Sequence, residues 1–201
     1  MSTESADMGL RFGEAIRQFD EANSTDPTRV TVAGGSEGRE LVYARWLTEW
    51  VLRLEPNASE QLLLAARCQH LCRWEIPRDS HPMTRIGYLQ WREQLKKLHA
   101  RKAGEILKAV GYEEEVIARV QQLVQKKNFP NDPEGRVLED GLCLVFLEHQ
   151  FAELADKHTK EKMISVLRKT WKKMTAKGQE TALTLCYSAR ERELLDLALN
   201  P

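Results

Sequence analysis

No apolar run in these 201 residues approaches the ~20 residues that a membrane-spanning helix needs. The opening "MSTESADMGL" also lacks the basic and apolar regions of a signal peptide. We therefore expect a soluble, cytoplasmic protein. Charge of one sign is missing too, because 30 Lys and Arg balance 30 Asp and Glu. No overall field would draw such a chain to nucleic acid or to an anionic membrane, so an anion site has to be local. Of the four cysteines, Cys68 and Cys72 lie one helical turn apart and Cys143 and Cys186 stand alone. With no CxxC pair they read as small buried residues, not as a zinc set or a disulfide framework.

Long alternating strand patterns and internal repeats are absent as well, which leaves an all-α fold as the expectation. Eight helices can be read within one domain spanning 1–201, with 159–201 as an optional appended C-terminal part. The first is "MGLRFGEAIRQFDEANS", with Phe12, Ile16 and Phe19 on one face. A loop with a short extended piece at Val30 to Val32 leads to "RELVYARWLTEWVLRL", which Pro56 stops. Asn57, with Glu60 three positions on, suggests the capping box of a third helix running towards Cys72. The two-proline loop "EIPRDSHPMTR" precedes a long amphipathic helix that ends at Gly111. "EEEVIARVQQLVQKKNF" and a continuous central helix, "RVLEDGLCLVFLEHQFAELADKH", follow. "KEKMISVLRKTWKKM" and "SARERELLDLALN" supply the last two.

Against this background "AARCQHLCRWEIPR" stands out. A helix with core-facing apolar positions ends in His70, Arg73, Trp74, Glu75 and Arg78. Charged groups leaving a core must be paired, solvated or aimed into a cavity. Glu139 and Asp140 are a second anomaly, two adjacent acids in the most apolar segment, and His70 and His99 are the natural partners for whichever points inward. The competing reading makes both histidines satisfied core residues. Arg45 and Glu49, one turn apart on the second helix, read either as a solvated ladder or as the inner edge of a cleft. Arg73, Arg78, Arg92 and Lys96 gather around one loop with Tyr88 and Trp91 interleaved, a composition suited to phosphate or carboxylate. Its competitor is a solvent-facing basic surface. His81, His149 and His158 read as surface residues.

The segments "YARWLTEW", "QHLCRWEIPR", "GYLQWREQLKKLHA", "LEDGLCLVFLEH" and "LRKTWKKM" together resemble the family catalogued as domain of unknown function 4202, along nearly the whole chain. A weaker resemblance, to the HD-domain metal-dependent phosphohydrolases, implies an HD-like helical core. It places His70 at the histidine of the His-Asp doublet, His99 at the next histidine and Asp140 at the distal aspartate. Leu71 replaces the doublet's aspartate, Leu47 or Thr48 the first histidine, and Lys126 or Lys127 another. The implied activity is hydrolysis of a small phosphorylated or anionic metabolite. His70, His99, Glu139 and Asp140 would be catalytic, and Arg45, Glu49, Arg73, Arg78, Arg92 and Lys96 would hold the substrate. A divalent metal on His70, His99 and Asp140 is the secondary version, and a histidine general base without metal the primary one. The alternative function is a non-catalytic nucleotide- or anion-binding module.

Overall fold

The computed structural model describes residues 3–200 and is helical over 73% of its length. Ten α-helices occur among the described residues, in the order α1 (Thr3–Ser24), α2 (Arg39–Leu54), α3 (Glu60–Cys68), α4 (Arg85–Val110), α5 (Glu114–Gln125), α6 (Pro133–Val145), α7 (Phe151–Lys157), α8 (Lys160–Trp171), α9 (Ala176–Leu183) and α10 (Ala189–Leu199). Between α1 and α2 an antiparallel hairpin, β1 (Arg29–Val32) and β2 (Gly35–Gly38), pairs Arg29 with Gly38 and Val32 with Gly35. No helix among the described residues is long and apolar enough to cross a membrane.

The 3.6-residue apolar period accounts for the packing. Phe19 of α1, Leu47 and Val51 of α2, Leu62 and Ala65 of α3, Leu107 of α4, Val120 of α5 and Leu144 of α6 all enter one core. Met163 and Leu167 of α8, with Leu194 and Leu195 of α10, belong to that same core. A smaller cluster of Trp91, Leu95 and Leu98, with Ile76 against it, sits under the first half of α4.

Several boundaries depart from the sequence reading. The cap of α3 is Ser59, whose hydroxyl accepts the Leu62 N–H at 3.1 Å, not Asn57. The expected central helix is two, α6 and α7, joined by a wider π turn over Phe146–Gln150 that lets Gln150 leave helical backbone. The short helix α9 had no reading, because eight residues around Gly178 hold too little apolar period to register. Of the cysteines, Cys186 is exposed and only Cys68, Cys72 and Cys143 are buried. Gly111 ends α4 as expected, with a left-handed φ of 92°.

Candidate functional site

The exit of α3 is shaped by one residue. Cys72 takes left-handed backbone, φ 54°, and its N–H donates to the buried Asn23 side-chain oxygen at 3.0 Å. The reversal brings His70 and Arg73, on either side of it, to the same acid, Glu40. His70 Nδ1 lies 3.2 Å from one Glu40 oxygen and Arg73 Nε 4.0 Å from the other. Glu40 is the second residue of α2 and only 4% exposed. Its position is fixed through its backbone, because the Glu40 N–H donates to the Asp26 carboxylate at 3.0 Å, which also accepts the Thr28 N–H. The hairpin base can approach this closely only because residue 38 is glycine. A Cβ there would meet the Asn23 carbonyl oxygen at 2.6 Å.

Burial works against the charge on Glu40, but the His70 hydrogen bond and the Arg73 and Arg39 guanidinium groups outweigh it and hold the carboxyl below its ordinary range. His70 is pushed down to about 4, by burial first and by Arg73 second, despite Glu40. At neutral pH it is a neutral ring with its proton on Nδ1, directed at the carboxylate, so Nε2 carries a lone pair. Tyr43 stacks on this ring at 4.4 Å. His99, 2% exposed, has Nδ1 2.8 Å from the Leu71 carbonyl oxygen. A carbonyl only accepts, so the His99 proton also sits on Nδ1. Burial, with His70 nearby, lowers its pKa to about 3, and its Nε2 has no partner among the described residues. The two imidazole centroids are 5.9 Å apart.

A cationic group adjoins this pair. Arg73 lies over the Trp91 ring at 4.8 Å, and the ring is pinned by its N–H to the Ile76 carbonyl at 2.8 Å. Lys126, the left-handed cap that ends α5 at φ 58°, forms a close ion pair with buried Glu139, and Lys173 approaches the other Glu139 oxygen at 3.4 Å. Burial lowers the Lys126 pKa, and Arg92 and Lys173 lower it further against the pull of Glu139. Arg92 is a like-charge neighbour of both Arg73 and Lys126, so the histidine side and the lysine side form one electrostatic group. Arg92, Lys96, Lys126 and Lys173 line an open cleft of about 620 Å³ against Glu93 and Glu139. Four cations face two acids inside a chain with no net charge.

A family model described as domain of unknown function, DUF4202, matches residues 13–195. The chain belongs to this family. No curated protein and no solved structure matches it.

In this DUF4202 chain the expected site residues divide. His70, His99 and Arg73 come together around Glu40, and Glu139, Arg92 and Lys96 gather in the adjoining cleft. Arg45 instead pairs with Glu37 of the hairpin at 2.5 Å, and Glu49 is exposed, so the charged stripe of α2 is a solvated face. Arg78 donates to the carbonyls of His81 and Pro82, both at 3.0 Å, and so staples its own loop. Asp140 accepts the Thr175 N–H at 2.8 Å and the Thr175 hydroxyl, which places it at the start of α9. His149 stacks on Trp46 at 3.8 Å.

Sequence reasoning missed Glu40, Tyr43, Lys126 and Lys173. The signal for Glu40 was present: it precedes Tyr43 and Leu47 by three and seven positions, on the stripe those residues bury. Lys126 and Lys173 carried no periodic signal, since each lies at or beyond a helix end. The donor set does not fit the HD-type metal. Among the described residues no three His, Cys, Asp or Glu side chains are placed to hold one metal ion, and Asp140 is engaged by Thr175. The nearest charged neighbours of His70 besides Glu40 are the cations Arg73 and Lys126.

Proposed function

We propose that this protein is a cytoplasmic hydrolase of a small phosphorylated or otherwise anionic metabolite, on an HD-like helical core, with His70 as general base. The observation that carries the reading is the Glu40–His70 pair, a buried carboxylate fixing the tautomer of a neutral imidazole beside Arg73. His70 Nε2 would take a proton from water as the water oxygen bonds to the phosphorus or carbonyl carbon. The bond to the leaving group breaks with its electron pair, and His70 returns the proton to it. Arg73, Arg92 and Lys126 would bind the anion and the charge that develops on it. An anion held there also cancels the positive charge that depresses His70, so the base strengthens when substrate is bound. Neutral net charge and four unpaired cysteines, three of them buried, support an intracellular small-molecule role over a nucleic-acid partner.

The test is turnover of a panel of phosphomonoesters, nucleotides, acyl esters and amides, with and without manganese, iron, zinc or magnesium. His70→Ala and Glu40→Gln are expected to lower kcat by about 10²–10⁴-fold on any substrate found. Arg73→Lys should raise KM, because an ammonium cannot reproduce the guanidinium fork. Ligands that raise the melting temperature without being changed would favour the binding-module reading over hydrolysis.

A further inference from the structure

We propose that the ligand of the cationic cleft is an amphiphile, an anionic head joined to an unbranched apolar tail, and that α4 carries the seat for the tail. The inference rests on the anion-cleft reading above and adds the chemical class of the molecule. Single exposed apolar residues are ordinary on a protein surface, but here three follow one another at three-residue steps in sequence. Met83, Ile86 and Leu89 are 78%, 70% and 56% exposed at steps of three residues. Ile86 and Leu89 lie on the outer face of α4, because the opposite face is turned inward at Gly87 and Trp91. From Ile86 to Leu89 the helix rises ~4.5 Å, and Met83 is the exposed apolar residue that precedes the helix by two positions in sequence.

The strip ends in the cleft. Leu89 is one of its lining residues, Phe129 supplies a further apolar wall, and Arg92 and Lys96 follow on the same side of α4 at the next helical steps. An apolar run whose last member, Leu89, lines a cleft with four cations fits a molecule with the same division. A compact, wholly polar metabolite would leave Met83, Ile86 and Leu89 in water with nothing to do. A flat apolar partner surface would bury four cations against only two acids, Glu93 and Glu139, and leave the excess positive charge unanswered.

Binding of methyl, hexyl and octyl phosphate, each as monomer, tests this by calorimetry on the full chain. Full burial of one methylene is worth a factor of about four, so hexyl phosphate on a half-open strip should bind at least about tenfold more tightly than methyl phosphate. The double variant Met83→Ser, Ile86→Ser, at two residues that do not line the cleft, should lose that gain and keep the affinity for methyl phosphate. Both residues are exposed, so the fold should tolerate the change. Binding of methyl phosphate with no gain from the tail would overturn the amphiphile and leave the anion cleft standing. No binding of any of the three would overturn both. A gain that survives the double variant, or binding only to vesicles of anionic phospholipid and never to the monomers, would overturn the strip as the seat of the tail.

Discussion

His99 is the residue whose environment contradicts its solution chemistry most. A buried ring with one nitrogen committed to the Leu71 carbonyl and the other without a donor cannot accept a proton cheaply, and His70 beside it is held neutral as well. Unfolding restores the ordinary histidine value near 6.5 to both. Between pH 6.5 and about 4 the unfolded chain therefore binds protons that the folded chain refuses, and stability falls as pH falls. His149, also lowered by burial, adds in the same sense, while Asp140, raised by burial, opposes it. His99→Asn removes one titrating group and isolates its share. Urea unfolding of the parent at pH 7 and pH 4.5 should show a loss of stability that the variant reduces by about 2 kcal/mol, the worth of the interval that His99 leaves unprotonated. Equal pH dependence in both would refute the buried neutral ring. At this scale the sequence was informative about His70, His99 and Arg73, since polar side chains on apolar stripes are visible as broken periods. Glu40 obeys the same rule and was masked by its place in the first turn, where an acid already suits the helix dipole.

At the scale of elements, α9 is positioned by a carboxylate from another helix. The Asp140 oxygens accept from Thr175, the N-cap of α9, and a Cβ on Gly178 would lie 2.5 Å from the Asp140 carboxyl carbon. That carboxylate is fixed by Thr175 and has little room to retreat. Gly178→Ala should cost about 1–3 kcal/mol in urea unfolding, through overpacking. Asp140→Ala should cost a similar amount by leaving the Thr175 groups without their partner. Neither should change the affinity for methyl phosphate, whereas a catalytic or metal-binding Asp140 would make its variant fail in function first. Long helices with caps were legible: α2, α4 and α10 end within a residue or two of where their apolar period and stop signals place them. The π turn after α6 was not, because "VFLEHQF" keeps an unbroken apolar rhythm and the extra residue in the turn leaves no mark in composition.

For the whole molecule, the C-terminal helices share an apolar core with the helices that carry the site. Met163, Leu167, Met174, Leu194 and Leu195 lie in the core that also holds Phe19 and Leu47, and Lys173 reaches back to Glu139. Unfolding should therefore be one cooperative transition. Far-ultraviolet circular dichroism and tryptophan fluorescence should give coincident urea curves, and a separate early transition would show that 159–201 is an appendage. An all-α fold was legible at this scale because helix period and capping chemistry are local. The union of His70, Arg73, Glu40 and Lys126 was not, because it is made by contacts between residues 30 and more positions apart.

The hairpin has a bearing on where the chain can take up insertions. Its base is tied by the Arg39 N–H to the Thr28 carbonyl at 2.9 Å and by Asp26 to the start of α2, whereas its tip, Ala33 to Gly35, is exposed and touches nothing that fixes Glu40. Residues added or lost in matched pairs at the tip preserve which side chains face the protein, while a single addition to one strand reverses them. A pair of residues inserted at the outer end should therefore leave Glu40 in place, whereas an insertion at the root should displace it, so one short hairpin combines a tolerant end with an end that guards the geometry of the acid.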